Sequence, residues 1–149
     1  MTKASLRGQA IRLLARREYA RSELEQRLVA KGGERGTVRT VLDALAAEGY
    51  LSDLRYARGI VAQKSGSHSR RGIVAGLKAK GVGREDIDSA VAETELDDDV
   101  ALRALWTRRF GRYPTDERDK ARQVRFLQSR GFSLSAILKL LRAQDASES

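Results

Sequence analysis

One short pattern occurs three times in this chain, and it limits the fold more than any other feature. It reads Leu28-Val29-Ala30-Lys31-Gly32, then Leu77-Lys78-Ala79-Lys80-Gly81, then Leu127-Gln128-Ser129-Arg130-Gly131. Each copy is a leucine, two variable residues, a basic residue and a glycine, and the glycines fall 49 and 50 residues apart. The segment after each glycine repeats as well. Val38, Val41 and Leu42 recur as Ile87, Ala90 and Val91, and again as Ile137, Leu140 and Leu141. That spacing places three apolar side chains on one face of a helix. A fixed period of about this length marks a tandem helical array, in which each unit is too small to bury its own apolar face and is covered by its neighbours.

Local signals fill in the rest of each unit. Leu6, Ala10, Leu13 and Leu14 have helical spacing, so a first amphipathic helix should end near Arg17. Ser22 with Glu25 reads as a capping box opening a second helix, and Gly32-Gly33 ends it. A third helix runs from about Glu34 to Glu48. The same scheme continues with Ser52 or Asp53, Ser69, Thr115 or Asp116 and Ser133 as caps, and the acidic run from Thr94 to Asp99 opens the last unit. The predicted fold is all-α: three tandem three-helix repeats forming an elongated, curved right-handed helix array. The expected boundaries are residues 1–51, 52–93 and 94–143, with a frayed tail at 144–149. The structural anchors are Leu28, Gly32, Val38 and Leu42 in repeat one, and Leu77, Gly81, Ile87 and Val91 in repeat two. In repeat three they are Leu127, Gly131, Ile137 and Leu141. With only three Phe, four Tyr and one Trp, the core must be a string of small aliphatic clusters.

Composition narrows the chemistry. There is no cysteine, hence no disulfide framework or thiolate metal site, which fits a cytoplasmic protein. No apolar run approaches the roughly 18 residues of a membrane span, so no membrane association is expected. His68 is the only histidine and reads as an exposed loop residue, with no acid placed to make it a general base. Asp97-Asp98-Asp99 lacks the spaced ligands of a calcium loop and reads as a helix-start charge cluster. No catalytic constellation, metal site or cofactor is predicted, and the protein is expected not to be an enzyme. The aromatics Tyr50, Tyr56, Trp106, Phe110, Phe126 and Phe132 read as packing groups.

The formal charge of +9 predicts an acidic partner. Cations cluster at matching places: Arg16, Arg17 and Lys31 in repeat one, and Lys64, Arg70, Arg71, Lys78 and Lys80 in repeat two. Arg108, Arg109, Arg122, Arg125 and Arg130 belong to repeat three. Complementing a helix dipole, at about 0.3–1 kcal/mol per cation, accounts for one of these per repeat but not for three or more. The remainder form a candidate basic stripe.

The ordered set of connectors resembles the RecX family of bacterial recombination regulators. It is carried by Tyr19 to Gly32, by Gly49-Tyr50-Leu51-Ser52-Asp53-Leu54-Arg55-Tyr56-Ala57, and by Gly72-Ile73 through Leu77 with Lys80-Gly81-Val82. In the third repeat it is carried by Arg125-Phe126-Leu127, Arg130-Gly131-Phe132-Ser133 and Ile137. Two positions depart from the usual family pattern. Ser52 stands where an Asp or Asn is usual, and Gly76 where a Glu is common. The resemblance implies a protein that lies in the groove of the RecA–DNA filament and restrains its ATP hydrolysis, strand exchange and co-protease activity. It implies single- or double-stranded DNA as a weak, nonspecific second partner, acting in DNA repair and the SOS response as a cytoplasmic monomer. The alternative from the residues themselves is a direct DNA-binding module of helix-turn-helix-like triplets. A helical adaptor for an unrelated acidic protein is a third reading.

Overall fold

The structure is a computed structural model that describes residues 1–148, with side chains described to 146. Among the described residues there are nine helices and no strand. They are α1 (Lys3–Arg16), α2 (Arg21–Ala30), α3 (Arg35–Ala47), α4 (Asp53–Lys64), α5 (Arg70–Ala79), α6 (Arg84–Ala92), α7 (Asp98–Arg109), α8 (Glu117–Ser129) and α9 (Leu134–Glu148). This is the all-α three-helix repeat array that the sequence predicts. The chain divides into two compact units, one of Met1–Ile60 with Gly76–Glu93, the other of Val61–Ala75 with the residues from Thr94 onward. The division falls inside α4 and α5.

In the first unit α1 and α2 both pack on α3. Leu6, Leu24, Leu28, Val38, Leu42 and Leu45 are fully buried, so the repeated leucine and the apolar triplet after the glycine form one cluster. Gly81 and the middle triplet Ile87, Ala90 and Val91 belong to this unit too, and all three apolar side chains are buried. In the second unit Leu127, Ile137, Leu140 and Leu141 cluster with Leu102, Leu105 and Trp106 of α7 and with Phe132. Each repeated glycine has positive φ, at 105° for Gly32, 79° for Gly81 and 93° for Gly131, which a side chain rarely tolerates.

The caps are mostly those the sequence names. The Ser52 hydroxyl accepts from the Arg55 N–H, Asp97 from the N–H groups of Asp99 and Val100, Asp116 from Asp119, and Ser133 from Ala136. One is displaced. α2 starts at Arg21 and its N-cap is Ala20, whose N–H donates to Glu23 at 3.1 Å, so the capping carboxylate is Glu23 and not Glu25. Ser22 is already inside the first turn of α2, where the Gly81 turn lies against it; a Cβ on Gly81 would come within 2.9 Å of the Ser22 Cβ. α9 continues through Glu148 over the stretch expected as a frayed tail, and Ser149 lies outside the described residues. His68 is half-buried, with its Nδ1 2.9 Å from the Ser67 hydroxyl, and not an exposed loop residue. Tyr50 is 49 % exposed and does not pack in a core, while Tyr56, Trp106 and Phe132 do.

Successive repeats meet through the same contact in both units. In the first unit the backbone N–H of Arg21, at the start of α2, donates to the Asp53 carboxylate at 2.7 Å. In the second, the N–H of Arg70, at the start of α5, donates to Asp98 at 2.8 Å. Each acceptor sits at the start of the following repeat's first helix. Burial holds Asp53 above the usual carboxylate range despite the Arg21 N–H, and nearby Asp86 adds to the effect. Beside each of these bonds lies the following repeat's glycine turn, Gly81 against Ser22 and Gly131 against Ser69 and Gly72.

Candidate interaction surface

The candidate cations divide into two groups by what they touch. Arg17, Lys80, Arg122 and Arg130 are held by their own repeats or joints. The Arg17 guanidinium lies 3.6 Å from the Tyr19 ring centroid and pairs with Glu23 at 3.1 Å. Lys80 reaches the same Glu23 at 3.7 Å. Burial raises Glu23, but Arg17, the Ala20 N–H and Lys80 together outweigh it and leave the carboxyl below its ordinary value. Arg122 pairs with Asp119 at 2.7 Å, and Arg130 lies over Phe126 at 4.7 Å. Arg16, Lys31, Lys64, Arg70, Arg71, Lys78, Arg108 and Arg125 make no ion pair among the described residues, nor does Arg109, although its guanidinium, like that of Arg130, lies over the Phe126 ring, at 4.6 Å. All of these are exposed except Lys64, which is half-buried.

Much of the arginine excess elsewhere is structural. Arg7 pairs with Glu48, Arg21 with Asp43, Arg39 with Glu25, Arg55 with Glu18 and Arg58 with Glu93, at 2.6–2.8 Å. These pairs lie within the first unit, and the exposed ones are screened by solvent, so they tie segments together more than they stabilise.

The third repeat holds an arrangement absent from the other two. A cleft of about 590 Å³ opens between the end of α7, the Gly111–Pro114 turn and the first turns of α8. Five arginines, Arg109, Arg112, Arg118, Arg122 and Arg125, line it together with two carboxylates, Asp116 and Asp119, and with Phe110, Thr115 and Gln123. Gln123 is 2 % exposed; its Oε1 accepts from the Trp106 indole N–H at 2.9 Å, and its Nε2 reaches the Arg112 carbonyl at 3.4 Å. Sequence reasoning on basic clusters did not single out Arg118 or Gln123. A signal was present: Gln123 stands eight residues before its repeated glycine, where the other repeats have the apolar Leu24 and Ile73.

Comparison with known proteins gives this array a family. Three family models match in chain order: the first RecX three-helix domain on residues 7–45, the second on 52–91 and the third on 97–141. The Regulatory protein RecX of Leptothrix cholodnii is 38 % identical over 141 residues, covering 95 % of this chain and 90 % of that protein. The chain belongs to the RecX family. The Regulatory protein RecX of Pseudomonas putida KT2440 is 39 % identical over 146 residues, covering 97 % of this chain and 94 % of its own length. Crystal structures of RecX proteins share the fold. One matches at TM-score 0.71 and 20 % identity, over 95 % of this chain and 73 % of that one. A second, from Lactobacillus salivarius, matches at TM-score 0.68 and 16 % identity, over 97 % of both. RecX relatives are named regulatory proteins, and no helix among the described residues of this chain is long and apolar enough to cross a membrane.

Proposed function

We propose that this RecX-family chain is a non-catalytic regulator that binds along the RecA–DNA filament and restrains RecA. The observation that carries this reading is the family match over almost the whole chain. Further support comes from Arg70 and Arg71, which stand exposed and without ion pairs at the start of α5. Binding through many modest contacts along repeats gains from multivalency, because each contact after the first is made at high effective concentration. Such a ligand would hinder the protomer movements that accompany ATP turnover and obstruct entry of a second DNA or a co-protease substrate. The acting protein is a cytoplasmic monomer in this reading. Adding the purified protein to a DNA-stimulated RecA ATPase assay tests it. Saturable inhibition together with co-sedimentation on filaments is expected, and a protein that neither inhibits nor binds filaments ends the proposal.

A second reading, direct DNA binding, draws support from the exposed, unpaired arginines of the third repeat. Gel shifts across a salt series separate the two. Tight, sequence-selective binding without RecA favours this second reading, whereas weak binding with a steep salt slope makes DNA an accessory contact.

A further inference from the structure

We infer that the third repeat carries a phosphoryl-oxyanion site in the cleft between α7 and α8, a site that does not depend on the filament-binding reading.

The cleft exists because the third repeat departs from the other two in three places. α2 and α5 are 10 residues long, whereas α8 has 13. In register with the glycines, Lys120 corresponds to Arg21 and Arg70, so Glu117, Arg118 and Asp119 form an extra turn at the helix start. That turn carries Arg118 to the rim and brings Asp119 to Arg122. Second, the Gly111–Pro114 turn places Arg112 on the opposite wall, with Arg109 of α7 beside it. Third, the buried apolar position of the other repeats is Gln123, whose Nε2 has only long contacts, 3.4 Å to the Arg112 carbonyl and 3.5 Å to Asp119. A buried amide N–H₂ whose bonds are this long still has donor capacity, and Gln123 lines the cleft.

The charges do not cancel. Asp116 is committed to the Asp119 N–H at 2.8 Å, and Asp119 to Arg122 at 2.7 Å and the Thr115 N–H at 3.1 Å. Arg109, Arg112, Arg118 and Arg125 form no ion pair among the described residues, although the Arg109 guanidinium lies 4.6 Å from the Phe126 ring centroid and Arg112 is near enough to Asp119 to help hold its carboxyl low. Asp119 takes Arg122 on one oxygen and the Thr115 N–H on the other, so its acceptors are largely used within the cleft wall. Four guanidinium groups without an ion pair, on α7, the Gly111–Pro114 turn and α8, match a group with three or more acceptor oxygens and more than one negative charge, which describes phosphate. Two sources present that chemistry, the backbone of a polynucleotide and a free polyphosphate.

Trp106 is the only tryptophan and is hydrogen-bonded to Gln123, so its fluorescence reports on the cleft. The full chain, without RecA, is titrated with tripolyphosphate while Trp106 emission is followed. A saturable change is expected. Arg118→Gln with Arg125→Gln should weaken it by about tenfold or more with unchanged circular dichroism, since both side chains are exposed and unpaired. A short oligodeoxythymidine is then used as competitor. If it displaces tripolyphosphate, the source is a nucleic-acid backbone; if it does not, while the arginine dependence stands, the source is a free polyphosphate. Three results overturn the site: no saturable response in the unaltered protein, an unchanged affinity in the double variant, or displacement by citrate as effective as by phosphate compounds. None of these readouts contains RecA, so loss of the site leaves the filament-binding reading standing.

Discussion

The Ser69 hydroxyl donates a hydrogen bond to the Gly131 carbonyl at 2.7 Å while accepting one from the Gly72 N–H at 2.9 Å. A single side chain thus caps α5 and fastens the turn of the following repeat to it. A Cβ on Gly131 would run into that same hydroxyl and lie 2.7 Å from the Gly72 Cα. Two backbones meet there with no room for a methyl group.

Gly131→Ala should therefore cost far more than Gly32→Ala, although both residues have positive φ. Around Gly32 a Cβ meets nothing within 4 Å, so the cost there is the backbone penalty alone, about 1–2 kcal/mol. Gly131→Ala adds a backbone clash and should reach about 3 kcal/mol or more. Urea denaturation of both variants measures the difference, and equal losses would mean that the joint is not close-packed.

The contact between Trp106 and Gln123 makes a second prediction. Gln123→Leu gives the third repeat the residue type of the first, yet leaves the buried indole N–H without an acceptor, at a cost of about 1–3 kcal/mol. Adding Trp106→Phe removes the orphaned donor, and the hydrogen-bond part of the loss should be recovered. A double-mutant cycle from denaturation midpoints reads the coupling. A coupling near zero would show that the indole finds water or another partner.

The stripe and the joints differed in how legible they were. Leu28, Leu77 and Leu127, each fully buried, and the triplets after each glycine were plain in the sequence, because burial and helical spacing act locally and repeat in register. Ser69 as a cap was legible for the same reason. Ser22 misled because a second pattern overlaps it two residues earlier: Ala20 caps α2 and the Glu23 carboxylate takes the Ala20 N–H, which leaves Ser22 inside the helix. The basic candidates could be found but not sorted. Whether a cation is free depends on where acids such as Glu23 and Asp119 fall in three dimensions, so Arg17 and Lys80 look like Arg70 and Arg71 until the fold is known. Gln123 was visible only by aligning the repeats against each other.

His68 predicts a pH dependence. Burial, with Lys64 and Arg130 nearby, holds its imidazole below the ordinary value of 6.5. The unfolded chain therefore takes up that proton more readily than the folded one. The resulting stability is complete above about pH 6.5 and is lost as pH falls through the lower folded-state value. Glu23, Glu34, Glu93 and Asp119 are all held below their ordinary values and titrate in a separate, more acidic range. Melting curves at about pH 7.5 and about pH 5.5 should differ for the natural sequence and draw together for His68→Gln. Identical pH slopes in the two proteins would remove His68 as the source.

Arg70→Gln with Arg71→Gln addresses the filament reading directly. Both side chains are exposed and make no ion pair, so helicity and melting should stay within about 0.5 kcal/mol of the original. RecA ATPase inhibition should weaken, and more so at higher salt, since screening acts on the contacts that remain. Full inhibitory potency in the variant would place the contact surface elsewhere.

The added turn of α8 also changes how its helix start is satisfied. In α2 and α5 the N–H groups of Arg21 and Arg70 donate to an aspartate of the next repeat. In α8 the corresponding N–H, that of Lys120, is bonded to the Asp116 carbonyl at 2.9 Å inside the helix. The turn that lines the arginine cleft thus makes α8 self-sufficient at the position where the other two helices lean on a neighbour.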